Sequence, residues 1–263
     1  MIAPGEALAV GEMRVLRRLP DASNTVLLVE VDTGGQPVRC VYKPAAGERP
    51  LWDFPGATLA MREVITAQVA EAIGWDLVPR TVWRTDGPLG PGMCQEFVIT
   101  EPRPAVGMFA VADVPPEWVV VAQGRTDDGT VVLLAHEAGP DIQRVVALDI
   151  LVNNADRKGG HLLRRADGGI AAIDHGVTWH ADPKLRTVLW GWAGEPLPPW
   201  LVQEVTTAAP ILIGLLDALP GPDEGGLRPG EVIAARQRLD QLLADPVFPL
   251  PSPAWPALPW PPI

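Results

Sequence analysis

Between Leu148 and Gly176 the chain gathers the residue types that phosphoryl transfer uses. The apolar run Leu148-Asp149-Ile150-Leu151-Val152 feeds the polar segment Asn153-Asn154-Ala155-Asp156-Arg157-Lys158-Gly159-Gly160-His161, and Ile173-Asp174-His175-Gly176 follows. An aspartate at position 156 can accept a hydrogen bond from an acceptor hydroxyl and align it with a γ-phosphate. Asp174 can ligate a divalent cation bridging nucleotide phosphates, with His161 as the candidate companion ligand. Imidazole suits Mn²⁺ better than Mg²⁺, which prefers oxygen, so either ion is a candidate and a loop hydrogen-bonding role for His161 stays open. Arg157 can hold the loop or neutralise charge in the transition state, while Lys158 can approach phosphate as a point charge. A turn rich in Asn and Asp and capped by glycines would explain this composition without chemistry. It would not explain the second motif at Asp174.

The elements that must position these groups are legible from pattern. Arg14 to Leu19, Thr25 to Val31 and Val38 to Tyr42 are strand-like runs separated by turn residues, which predicts three antiparallel strands. Helical spacing of Leu59, Val64, Ile65, Val69, Ala72 and Ile73 predicts one helix over 58–73, ended by Gly74. Two further strands are expected at 81–84 and 93–99, after which Glu101-Pro102-Arg103-Pro104 breaks the pattern. A hairpin around Asp127-Asp128-Gly129, a buried helix over 142–152 and a hairpin around Asp167-Gly168-Gly169 come next. Helices over 200–219 and 229–243 close the compact part. The expected division is residues 1–100, a β-rich lobe that binds nucleotide phosphates, residues 101–245, a helix-rich lobe with the catalytic and metal motifs, and a Pro/Trp-rich tail over 246–263. Such a tail favours polyproline II conformation.

The two motifs together resemble the phosphatidylinositol 3- and 4-kinase-like branch of the protein-kinase-like superfamily, particularly its compact bacterial members, and more distantly the HipA-like kinases. Those families place an Asp-Arg-x-x-x-Asn loop before an Asp-x-Gly metal motif, matched here by Asp156-Arg157 and Asp174-His175-Gly176, with His161 in the place of the usual Asn. The resemblance implies an α+β, bilobed protein-kinase-like fold. It implies that Lys43, in Val41-Tyr42-Lys43-Pro44, reaches the nucleotide phosphates and that Glu63 on the following helix pairs with it. It further implies that Ser23 and Asn24 form the turn covering the phosphates, although no full glycine-rich loop is present, and that Gln95-Glu96-Phe97-Val98 is the hinge meeting adenine. A solvated strand-end lysine, an ordinary hairpin turn and a plain strand are the bland readings of these three features. Asp149 is either a support for the loop or a buried helix residue paired with Arg157. His175 and His180 read as loop residues beside the nucleotide, since their spacing lacks a zinc pattern.

Bulk properties narrow the function classes. With 263 residues and 47% hydrophobic content the chain can bury a large core. A net charge of −11 and a pI near 4.8 argue against a general nucleic-acid binder and against adhesion to anionic membranes. Cys40 and Cys94 are too few for a disulfide scaffold and read as buried thiols, which fits a reducing cytoplasm. The first residues lack a basic segment followed by an apolar one, and no uninterrupted apolar run approaches the ~20 residues that span a bilayer.

The expected activity is therefore an ATP- and divalent-metal-dependent kinase. It would transfer the γ-phosphate to a hydroxyl of a protein, including itself, or of a small polar molecule. A phosphatidylinositol kinase is the first alternative, weakened because only Lys184 and Arg186 follow the metal motif closely. A catalytically degenerate nucleotide-binding scaffold with the tail as its docking element is the second.

Overall fold

A computed structural model describes residues 4–20, 24–46, 48–49, 51–54, 59–222 and 225–263. The fold is α+β, with a β-rich N-terminal lobe and a helix-rich C-terminal lobe. The first lobe is a five-stranded antiparallel sheet of β1 (Met13–Arg18), β2 (Leu27–Val31), β3 (Val38–Pro44), β4 (Thr81–Gly87) and β5 (Gly90–Glu96), in the order β1-β2-β3-β5-β4. Alternation along β2 and β3 sends Leu27, Val29, Val31, Cys40 and Tyr42 to one face, where they form a small core with Cys94. Both cysteines are free and buried.

Two features of this lobe exceed the sequence expectation. A short helix, α1 (Pro4–Val10), precedes the sheet, and the buried Arg84 guanidinium on β4 donates to the Leu8 carbonyl at 2.8 Å. The expected helix is α2 (Leu59–Ala72), and its first turn is capped from outside the helix: the Glu48 carboxylate accepts from the backbone N–H groups of Leu59 and Ala60 at 2.8 and 2.9 Å.

Beyond β5 the chain forms a second antiparallel sheet, β6 (Val106–Ala110), β7 (Trp118–Arg125) and β8 (Val131–Glu137), ordered β6-β8-β7. The sequence pattern predicts only the β7–β8 hairpin. Helix α3 (Pro140–Val152) starts on a proline whose fixed φ suits a first helical turn, and it ends on Asn153 at φ 53°, a left-handed cap that Asn tolerates. The hairpin β9 (Leu162–Arg164) and β10 (Ile170–Ala172) follows, then α4 (Pro199–Ala218) and α5 (Pro229–Ala244). By length and composition α4 would pass for a membrane span, but Leu201, Val205, Ala208, Leu212 and Leu216 bury one of its faces in the main core with α3 and α5. It is a core helix.

The tail does not hang free. Leu197 N–H donates to the Pro246 carbonyl at 2.7 Å and Phe248 N–H to the Glu195 carbonyl at 2.9 Å, and buried Phe248 stacks on Trp192.

Candidate active site

Three elements meet at the Lys43 ammonium. β3 carries Lys43 toward the C-terminal lobe, α2 presents Glu63, and the segment after β10 presents Asp174. Lys43 Nζ lies 2.7 Å from Glu63 Oε1 and 2.8 Å from Asp174 Oδ1. Gly176 lies close against α2: a Cβ there would lie 3.2 Å from Leu59 Cβ and 3.6 Å from Glu63 Oε1.

The electrostatics follow from this contact. Burial pushes the Glu63 carboxyl up to about 7 against the pull of Lys43, and its Oε2 is buried with no partner among the described residues. Burial also acts to lower the Lys43 ammonium, but Asp174 and Glu63 outweigh it and hold the group above its ordinary value. Lys43 in turn holds the Asp174 carboxyl well below the usual carboxylate range. Asp174 has φ 61°, a left-handed conformation that costs a non-glycine residue about 1 kcal/mol or more and marks a backbone held for its side chain.

The loop after α3 is built from inside out. Arg157 is fully buried and grips Asp149 through Nε at 2.8 Å and Nη2 at 2.9 Å, donates to the Ile173 carbonyl at 2.8 Å, and lies 2.7 Å from His175 Nε2. Asn154 Nδ2 donates to the same Asp149 at 2.9 Å, and Asn154 Oδ1 accepts from Asp156 N–H at 3.0 Å. Of the two roles open to Arg157, this geometry matches holding the loop, because its guanidinium faces the protein interior. His175, in the loop after β10, is likewise buried. Burial, followed by the Arg157 charge, keeps its imidazole well below its ordinary value.

Asp156 is presented at the surface of this loop. Arg186 Nη2 donates to its Oδ1 at 3.1 Å and Lys158 Nζ lies 3.2 Å from Oδ2. His161 Nε2 lies 3.3 Å from Asp174 Oδ2, while its Nδ1 accepts from Lys158 N–H at 3.4 Å. Burial holds the imidazole below its ordinary value. Among the described residues no three His, Cys, Asp or Glu side chains group as a metal cage. The pair Asp174 and His161 nevertheless fits a cation of the Mg²⁺ or Mn²⁺ kind, which takes one or two protein ligands and completes its shell with phosphates and water.

The remaining predicted residues are dispersed. Asn24 Oδ1 accepts from Arg49 N–H at 2.9 Å, tying the turn before β2 to the loop after β3, and Ser23 lies outside the described residues. Gln95 is buried with Nε2 donating to Thr81 Oγ1 at 2.8 Å, and the Glu96 carboxylate pairs with Arg80 at 3.0 Å. Phe97 N–H is committed to the Arg39 carbonyl. Both side chains at 95 and 96 therefore serve the sheet, and the Glu96 N–H is likewise taken, by the Arg80 carbonyl at 2.9 Å.

Several residues that shape the site escape sequence reasoning. Arg62, one position before Glu63, donates to the Thr178 carbonyl at 2.5 Å and pairs with Glu231 of α5 at 2.6 Å, clamping α2 to the C-terminal lobe. Trp179 Nε1 adds a 3.0 Å bond to Thr66 Oγ1. Lys184 Nζ sits 2.7 Å from Asp53 Oδ2, between the rings of Trp52 and Trp255 at 5.0 and 4.1 Å. No local spacing signals such partners. An unusual tryptophan content is their only trace in the sequence.

No family model matches the chain. Among solved structures it is similar to the crystal structure of a Helicobacter pylori proinflammatory kinase, CtkA, at 10% identity and a TM-score of 0.46, with 92% of this chain and 94% of that chain covered. Among curated proteins it is 42% identical over 268 residues to Protein Rv2133c of Mycobacterium tuberculosis (strain ATCC 25618 / H37Rv), covering 97% of this chain and 93% of that protein, and the chain therefore belongs to the Rv2133c family.

Proposed function

We propose that the protein is an ATP-dependent phosphotransferase of the phosphatidylinositol 3- and 4-kinase-like type, acting on a hydroxyl of a protein or small polar acceptor. The observation that carries the reading is the Lys43 ammonium held between Glu63 and Asp174, which joins strand, helix and metal motif at one point. In this reading Lys43 neutralises nucleotide phosphates and Glu63 keeps it in place. Asp174, with His161 beside it, would hold the divalent cation, which supplies charge neutralisation at the phosphates when bound. Asp156 accepts the acceptor's hydrogen bond and aligns its oxygen, Lys158 stands beside it for the transferring group, and Arg157 positions the loop. Ser23 and Asn24 would lie over the phosphates, and the stretch Gln95, Glu96, Phe97 and Val98 would meet adenine through main-chain groups not already taken by Arg39 and Arg80.

The acceptor reading rests on the basic residues. Lys184 is spent on Asp53 and two tryptophans, Arg186 on Asp156, Arg164 on Glu137 and Arg165 on Asp76. With Arg157 buried, a phosphoinositide headgroup would find little basic surface, which disfavours the lipid alternative. Calorimetric titration with ATP tests the nucleotide part: binding should require Mg²⁺ or Mn²⁺, and Asp174→Asn should remove that requirement along with most of the affinity. Metal-independent binding unaffected by the substitution would contradict it.

A further inference from the structure

The two partners of the Asp156 carboxylate, Lys158 and Arg186, are each followed by a residue whose backbone N–H is taken by the C-terminal tail. Gly159 N–H donates to the Pro262 carbonyl at 2.8 Å, and Thr187 N–H donates to the Ala257 carbonyl at 3.2 Å. Trp190 Nε1 donates to that same carbonyl at 2.8 Å. The tail thus crosses from the segment after the metal motif to the catalytic loop, and is held beside both residues that pair with Asp156. The tail packs closely on Gly159: a Cβ there would lie 3.0 Å from Val106 Cβ and 3.4 Å from Ile263 Cγ1. The crossing stretch, Ala257-Leu258-Pro259-Trp260-Pro261-Pro262-Ile263, contains three prolines and no Ser, Thr or Tyr. Proline-rich chains are recognised through their carbonyls by N–H and indole donors, and that is how this one is held.

We infer that the strip formed by Gly159, Thr187 and Trp190 is the acceptor groove, that it takes an extended proline-containing polypeptide bearing a serine or threonine, and that the tail fills it as an occupant unable to receive phosphate. The inference rests on the kinase reading and names its acceptor class. In the transfer the acceptor hydroxyl oxygen bonds the γ-phosphorus, the bond from that phosphorus to the β–γ bridging oxygen breaks, ADP leaves with the electron pair, and the hydroxyl proton passes by way of Asp156 to water. An occupant tethered to the same chain competes at an effective concentration in the millimolar range, so a peptide arriving from solution is excluded until the tail lifts.

The test uses the full chain. Trp260 is 86% exposed, so Trp260→Ser removes a side chain that stands outside the core and supplies a hydroxyl within the crossing stretch. With ATP and a divalent metal this variant should acquire one phosphate on the introduced serine, located by fragmentation mass spectrometry, at a rate independent of protein concentration. Leu258 packs against the main core, so Leu258→Asp should release the tail. Transfer to a synthetic proline-rich serine peptide should then rise by at least about tenfold. Amide exchange at Gly159 and Thr187 should also accelerate, with protection restored by adding that peptide. ATP turnover with the introduced serine unmodified and an unchanged peptide rate overturns the groove and leaves the kinase reading standing. Absence of turnover in every variant removes the kinase reading, and exchange then decides the groove as a binding surface: peptide protection supports it, and no protection overturns it.

Discussion

Replacing Lys43 with methionine should make stability depend on pH in a way the wild type does not. Below its ordinary value of 10.5 the lysine is charged in folded and unfolded chains alike, so it contributes no slope of its own between about pH 6 and pH 9. The slope comes from Glu63, whose carboxyl is pushed up to about 7 from 4.5. Between those values the folded protein holds a proton that the unfolded chain has lost, so wild-type stability declines with rising pH by up to ~1.4 kcal/mol per unit and levels off above 7. Without the cation, burial and the neighbouring Asp174 and Glu48 carboxylates all act to raise Glu63, and the decline continues. The gap between wild type and Lys43→Met should therefore widen from pH 7 to pH 9 by up to roughly 3 kcal/mol. Asp174 adds little, because its side chain is 46% exposed and water screens it once freed. Denaturant titrations of both proteins across that range measure the gap directly. A gap that is constant or shrinks with pH would refute the reasoning.

Three other outcomes are expected. Arg157→Lys should destabilise the protein by about 3 kcal/mol or more, because one ammonium cannot replace the fork that serves Asp149, Ile173 and His175, and thermal melting with denaturant titration would read it. His161→Asn should move metal preference from Mn²⁺ toward Mg²⁺ in ATP turnover, whereas an unchanged profile would confine His161 to its hydrogen bond with Asp174. Vesicles containing phosphoinositide should not sediment the protein at physiological salt, given a net charge of −11 and the pairing of its basic residues, and salt-sensitive co-sedimentation would reverse that expectation.

What the sequence made legible was local. Apolar runs bounded by turn residues located β2 and β3, apolar positions at helical spacing located α2, α3 and α5, and turn chemistry marked the hairpins at Asp128-Gly129 and Asp167-Gly168. Strand β6 was missed because Val106-Gly107-Met108-Phe109-Ala110 carries a glycine and only one β-branched residue, so its pairing with β8 rests on tertiary context. In the site, Asp156, His161 and Asp174 stand out by motif, and a buried Asp149–Arg157 pair is one of the two readings open to Asp149 and the one the structure shows, while the interior position of His175 carries no local signal. The clamp between Arg62 and Glu231 joins residues far apart in the chain, and the tail's close packing on Gly159 is visible only beside Val106 and Ile263. Such contacts are products of the assembled fold.

The central claim is tested most directly by incubating the purified full-length protein with ATP and Mg²⁺ or Mn²⁺, following ADP release together with the intact masses of the protein and of added peptide acceptors. The account predicts metal-dependent turnover that falls by at least about a hundredfold in Asp156→Asn, with the melting temperature preserved. Turnover equal to wild type in Asp156→Asn, or none in the wild type with either metal, would contradict it.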